Sequence, residues 1–213
     1  DGVHLGHQQV IRQAVSDAHQ LEAASLCVTF DQHPAKVTMP EHAPPLIQNL
    51  SQRLAAIEAL GVEVALVLPF DEVMSQIPAE AFIQGLHVDL GRINSICVGA
   101  HFAFGHGRDG NLALLQKLGQ DLNFIVHGLS SVSLDGETVS STRIRTAISE
   151  GQLDAAGQML GREYALTGEV VKGDQRGREL GFPTANLKVT DLCTPPNGVY
   201  TAHAEANGAT PRA

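Results

Sequence analysis

The chain has 213 residues, 43% of them hydrophobic and 17% charged. That is ordinary globular composition, with length for one or two domains of about 100–200 residues each. Fourteen basic against 23 acidic residues give a net charge of −9, the wrong sign for a general nucleic-acid binder.

No run approaches the ~18 uninterrupted apolar residues of a membrane span. The opening DGVHLGHQQV has neither the basic nor the apolar region of a signal peptide. Cys27, Cys97 and Cys193 are far apart and include no CxxC, so neither a disulfide framework nor a thiolate zinc site is expected, and a reducing cytoplasm is. Cys27 and Cys97, inside LCVTF and ICVGA, read as small buried hydrophobes.

In chain order, an Asp1-Gly2 turn leads to an apolar face at Val10, Ile11, Ala14, Val15, Ala18 and Leu21. This predicts a helix from His7 to about Ala24. A turn feeding a helix in this way normally follows a strand, so the chain is expected to be a fragment lacking that strand. Leu26–Phe30 reads as a buried strand, then a helix from about Ser51, its candidate N-cap, to Leu60, with Gly61 past its end. Val64–Leu68 is the next strand, and Pro78 opens a helix to about Leu90, closed by Gly91. Ile93–Val98, a helix at about Leu112–Leu118 and a strand at Phe124–His127 follow. SSTRIRTAISEG reads as a helix capped by Ser140 or Ser141 and stopped near Gly151. Alternation at this spacing predicts an α/β fold: a parallel sheet with helices on its faces. From Tyr164 the runs YALTGEVV, TANLKV and GVYTAHA predict antiparallel β structure, so a second domain is expected over 163–213 after a first over 1–162.

Three stretches carry chemistry. In Asp1-Gly2-Val3-His4-Leu5-Gly6-His7 two imidazoles flank a glycine at a helix start, where free N–H groups and the dipole favour an anion. Gly6 lets backbone approach a phosphate, and the imidazoles can donate to charge developing on a phosphoryl group. Two solvent-exposed helix-end histidines are the bland alternative. In Ser140-Ser141-Thr142-Arg143-Ile144-Arg145, hydroxyls and guanidinium forks at a second helix start suit a polyphosphate tail. The ligand crevice of a parallel sheet lies beyond the strand carboxyl ends, so both motifs can face one ligand. In the third stretch, Gly173 to Asn186, the glycines, arginines and Pro-Thr-Ala-Asn corner suit a loop over a nucleotide. Thr184 and Asn186 supply hard oxygens appropriate to Mg²⁺; an irregular hairpin loop is the alternative.

HLGH, SSTRIR and GDQRGRELGFPTAN, in that order and joined by VTFDQHP, LGVEVALVLPFDE and VGAHFAFGHGRDG, closely resemble the prokaryotic bifunctional riboflavin kinase/FAD synthetase family over essentially the whole chain. The resemblance implies a Rossmann-like nucleotidyltransferase domain followed by the start of a riboflavin kinase β-barrel. It implies transfer of the adenylyl group of ATP to FMN, giving FAD and pyrophosphate, and phosphorylation of riboflavin to FMN. On this reading His4 and His7 stabilise the α-phosphate transition state, and Thr142 and Arg143 hold the pyrophosphate. Asp1, Gly2, Gly6, His101 and Ser141 lie around the ATP. Thr184 and Asn186 help hold Mg²⁺, while Gly173, Asp174, Gly177, Arg178, Gly181, Pro183 and Ala185 form the kinase nucleotide and flavin loop. Riboflavin, FMN and ATP are the implied partners, with no obligatory protein partner. Where family members usually carry Asp or Asn, this chain has His101. They also carry a strand before the Asp-Gly turn, and a kinase general-base Glu that would lie beyond residue 213. A non-catalytic nucleotide- or flavin-binding remnant is the reading from a different class.

Overall fold

The computed structural model describes residues 1–173, 181–182 and 184–206. Helix α1, Leu5–Gln20, starts two residues before the predicted position and stops four short of it. His4 is its N-cap and Leu21 its C-cap. Strand β1, Leu26–Phe30, pairs in parallel with β2, Val64–Leu68, both where the sequence places them. The short helix α2, Ala35–Thr38, and helix α3, Leu50–Glu58, lie between them. The cap of α3 is Asn49, not Ser51. Its side chain accepts from the Gln52 N–H at 2.9 Å while the Gln52 side chain accepts from the Asn49 N–H at 3.1 Å, a reciprocal pair that a serine two residues later cannot make.

After α4, Glu72–Ser75, helix α5 covers Ala79–Leu90, with Pro78 at its N-cap and Gly91 at its C-cap. Strand β3, Ser95–Gly99, pairs in parallel with β4, Ile125–Leu129, and α6, Leu112–Leu122, connects them. A small hairpin of β5, Ser133–Leu134, and β6, Glu137–Thr138, leads into α7, Ser141–Ser149, and α8, Leu153–Leu160. The sequence reading named neither the hairpin nor α8. In the last third, β7, Glu169–Val171, and β8, Asn186–Lys188, pair antiparallel. The GVYTAHA run forms no strand over residues 198–204, and no barrel is seen among the described residues.

The chain is thus mixed α/β with parallel strands, but not one sheet. β1–β2 and β3–β4 are separate two-stranded ladders, because strand–helix alternation fixes strand direction without fixing which strands become neighbours. A cleft of about 700 Å³ separates them, lined by Leu26, Cys27, Val28 and Thr29 on one side and every residue from Asn94 to Gly99 on the other. Successive strand residues point to opposite faces, so consecutive lining residues mean that the free edges of β1 and β3 face this cleft. The apolar face of α1, Val10, Ile11, Ala14 and Ala18, lines it too.

The described residues form two hydrophobic clusters, the first of which borders the cleft. One holds Ile83, Val98, Leu115, Leu118 and Phe124, joining α5 and α6 to β3. The other joins α7 to α8 through Ile144, Ile148, Met159 and Leu160, and includes Ile47 and Cys193. Cys193 enters that core because Leu46 and Leu192 form a parallel bridge, with Leu46 N–H donating to Asp191 O and Cys193 N–H to Leu46 O, each at 2.7 Å. Tyr164 and Cys193 therefore pack against the α7–α8 core. All three cysteines are free. Cys97 is more than a small hydrophobe, since its thiol donates to the Asp17 carboxylate at 3.5 Å. No described helix is long and apolar enough to cross a membrane.

Candidate functional site at two helix N-termini

The sequence Asp1-Gly2-Val3-His4 folds into a tight turn at the head of α1. Gly2 and Val3 both have positive φ, 88° and 37°. For a β-branched residue this is an outlier costing on the order of 1–3 kcal/mol, yet Val3 is buried. The surroundings hold the turn from several sides. Arg162 donates from one guanidinium nitrogen to Val3 O at 3.0 Å and Leu160 O at 3.1 Å, and from the other to Gly2 O at 2.6 Å. The Gln8 side-chain amide donates to Val3 O at 3.0 Å and Leu160 O at 2.7 Å. The Asp1 carboxylate accepts from the Ile47 and Gln48 N–H groups and pairs with Arg145 at 2.5 Å.

This turn delivers two stacked imidazoles. The His4 and His7 ring centroids are 3.8 Å apart at 32°. His4 Nδ1 accepts from the Gly6 N–H at 3.2 Å, which assigns the neutral ring its proton on Nε2 and leaves that atom a donor. A side chain at position 6 would press on this ring, since a Cβ there would stand 3.1 Å from His4 Cε1. His7 lines the cleft, and its buried Nδ1 has no hydrogen-bond partner among the described residues. Burial, then nearby positive charge including that of Arg162, lowers the His4 pKa to about 4. Burial and the neighbouring His4 lower that of His7 further. Both rings are therefore neutral at pH 7, and neither is a solvent-exposed helix-end histidine.

The second helix start meets the first. Ser140 caps α7 by accepting from the Arg143 N–H at 3.2 Å, and the Ser141 hydroxyl donates to Asp1 O at 3.1 Å. Asp1, Gly2, His4, Gly6, His7 and Ser141 are thus brought together, with exposed Thr142 on the same first turn of α7. Arg143 is turned to the β5–β6 hairpin. It donates to Leu134 O and Glu137 O at 3.0 Å and lies 3.2 Å from a Glu137 carboxylate oxygen. His101 is exposed in the turn after β3, and no hydrogen bond described ties it to the histidine pair. The sequence reading assigned no role to Gln8 or Arg162, whose contacts here are bonds to main-chain carbonyls, and it counted Arg145 among the guanidinium forks for a polyphosphate, whereas Arg145 is paired with the Asp1 carboxylate.

In the last third, Gly181, Thr184 and Ala185 are exposed, and Asn186 opens β8 opposite Val171. A Cβ on Gly173 would fall 2.2 Å from the Asn186 amide nitrogen, so only glycine lets that amide lie against the chain there. Asp174, Gly177, Arg178 and Pro183 lie outside the described residues.

Two helix N-termini meet on a parallel α/β framework, with neutral imidazoles and hydroxyls at their edge, and together they define an α/β protein. Comparison with known proteins narrows this. The FAD synthetase family model matches residues 1–143, and the riboflavin kinase family model matches residues 160–212. Proteins named bifunctional riboflavin kinase/FMN adenylyltransferase are similar along nearly the whole chain. That of Haemophilus influenzae is 35% identical over 94% of this chain and 65% of its own length. That of Escherichia coli K12 is 32% identical over 99% of this chain and 67% of its own, and that of Listeria monocytogenes is 36% identical with the same shares. A crystal structure from Streptococcus pneumoniae, described as a macrolide-efflux protein, superposes with a TM-score of 0.84 at 29% identity, covering 99% of this chain and 68% of that one. The chain belongs to the bifunctional riboflavin kinase/FMN adenylyltransferase family, and it spans about two thirds of the length of the curated relatives it matches.

Proposed function

We propose that the protein containing this chain makes flavin cofactors in two ATP-dependent steps, phosphorylating riboflavin to FMN and adenylylating FMN to FAD with release of pyrophosphate. Residues 1–162 are a Rossmann-like nucleotidyltransferase domain that performs the second step. Residues 163–213 begin the riboflavin kinase barrel that performs the first. The observation that carries the reading is the 3.1 Å bond from Ser141 to the Asp1 carbonyl, which supports a single phosphate-binding edge made of both helix starts.

In adenylyl transfer an FMN phosphate oxygen attacks the α-phosphorus of ATP, and the bond to the bridging oxygen of pyrophosphate breaks. No protein nucleophile is required, so the residues contribute position and charge. His4, neutral and protonated on Nε2, donates to the non-bridging oxygens as charge builds on them. His7, with its unpartnered Nδ1, is the second imidazole of that pair. Thr142 and the α7 N–H groups receive the departing pyrophosphate, joined by Arg143 once it leaves the hairpin carbonyls. Asp1, Gly2 and Gly6 shape the turn under the ATP, and His101 borders the nucleotide.

In the kinase step the neutral oxygens of Thr184 and Asn186 fit Mg²⁺. Both are exposed, and Asn186 occupies the space that glycine at 173 leaves free. Thr184 and Asn186 would hold the ion by these oxygens beside the phosphates of ATP. When bound, Mg²⁺ neutralises phosphate charge. The loop of residues 173–181, with Pro183 and Ala185, covers the nucleotide and flavin. Three free cysteines support a cytoplasmic setting. Riboflavin or FMN with ATP and Mg²⁺, followed by chromatography of the flavins, tests the reading. Formation of FMN and FAD supports it, whereas flavin binding without turnover gives the remnant reading in its place.

A further inference from the structure

We propose that Arg162, assisted by Gln8, is a positioning residue of the adenylyl-transfer site, holding the Gly2-Val3 turn so that the stacked His4 and His7 rings stay aimed at the α-phosphate. The role of the two rings rests on the functional reading above; the clamp itself does not.

Arg162 lies within the segment that matches the riboflavin kinase family model, residues 160–212. Its guanidinium is nevertheless bonded to the head of α1, 160 residues away in the chain. It spans three main-chain carbonyls, Gly2 O, Val3 O and Leu160 O, and Gln8 covers two of the same three. No carboxylate partner of Arg162 is found among the described residues. A planar fork can reach carbonyls on two separate segments at once, and a lysine ammonium cannot reproduce that geometry. Desolvating a guanidinium for carbonyls alone is a costly way to gain stability. Here the carbonyls belong to a turn with positive φ at two successive residues, one of them Val3, a conformation that persists only when its surroundings over-determine it. The turn ends at His4, whose Nδ1 is fixed by the Gly6 N–H, and the rings of His4 and His7 touch. Arg162 touches neither ring nor any site for the reacting atoms, so it acts through the turn.

The test is Arg162→Lys in the full-length protein, which keeps the charge and loses the fork, with Gln8→Met as a milder companion. Both flavin steps are assayed, and the imidazole nitrogens of His4 are followed by ¹⁵N NMR. Arg162→Lys is expected to lower kcat for FMN adenylylation by about 10- to 100-fold. KM for ATP and FMN should stay within about threefold, since the loss is in the transition state, and riboflavin phosphorylation within about twofold. The His4 spectrum is expected to pass from a single Nε2–H tautomer to a mixture, and Gln8→Met to move in the same direction by less. An unchanged His4 spectrum overturns the clamp whatever happens to the rates. Equal loss of both activities with a lowered Tm reduces Arg162 to a structural residue. If the unmodified protein makes no FAD, the functional reading fails, while the spectrum still decides whether Arg162 holds the turn.

Discussion

His127 Nε2 lies 3.2 Å from a carboxylate oxygen of Asp17, joining the end of α1 to β4 across β3. The same carboxylate accepts from Gln13 at 2.7 Å and from the Cys97 thiol at 3.5 Å. Burial alone would raise the Asp17 pKa, but hydrogen bonds from Gln13 and Ser95, the neighbouring His127 and the Cys97 thiol lower it overall. Asp17→Asn is expected to cost about 1–3 kcal/mol, read as a Tm fall of roughly 2–4 °C per kcal/mol. Burial and the Asp17 charge push the Cys97 thiol up to about 12, so Cys97 should resist alkylation at pH 8 and react faster in the variant. Equal alkylation rates would remove Asp17 from the account of Cys97.

His7→Ala should abolish FAD formation, by at least about 100-fold in kcat, and leave FMN formation measurable. Asn186→Ala should do the reverse, crippling riboflavin phosphorylation while supplied FMN is still converted to FAD. Flavin chromatography separates the two products in one assay. Equal loss of both activities in either variant contradicts the division of labour between the modules.

Acid sensitivity follows from the histidine pair. The folded-state pKa of His4 is lowered to about 4 and that of His7 lies lower still, against roughly 6.5 in the unfolded chain. Below about pH 6.5 the unfolded state therefore takes up protons that the folded state refuses. Stability present above that pH is lost on acidification towards pH 4, with an upper bound of about 1.4 kcal/mol per pH unit for each ring. Tm measured between pH 7 and 4.5 should fall less steeply in His7→Leu than in the unmodified protein. Parallel curves would mean that His7 is accessible to protons.

Arg145 is the only cation paired with the Asp1 carboxylate among the described residues, and both side chains are largely buried. Arg145→Ala strands that carboxylate and frees Pro45 O, which Arg145 Nε meets at 2.7 Å. A loss of about 3–5 kcal/mol is expected in urea unfolding. A midpoint unchanged from that of the unmodified protein would show that Asp1 finds water instead.

Local patterns were easy to read from the sequence, and long-range ones were not. β1 and β2 fall on the expected residues because apolar runs bounded by turn residues carry their own signal. The cap of α3 was misplaced by two positions, since Ser51 has the right chemistry but Asn49 has the reciprocal partner at Gln52. The histidine and serine motifs were expected to lie along one edge, and the bond from Ser141 to the Asp1 carbonyl brings their helix starts together. The residues that shape that edge, Arg162 and Gln8, were silent because main-chain carbonyls have no sequence signature. The two separate ladders were equally silent, because strand neighbours are chosen by tertiary packing.

The bridge between Leu46 and Leu192 has a consequence for synthesis. The core between α7 and α8 includes Cys193 at 4% exposure, and the bridge is among the contacts that hold it there. A ribosome emitting the chain from its N-terminus must therefore deliver residue 193 before this core can close. The first module stays incomplete while much of the second is being made, and the two emerge as a single vectorial folding problem rather than as beads finished in turn.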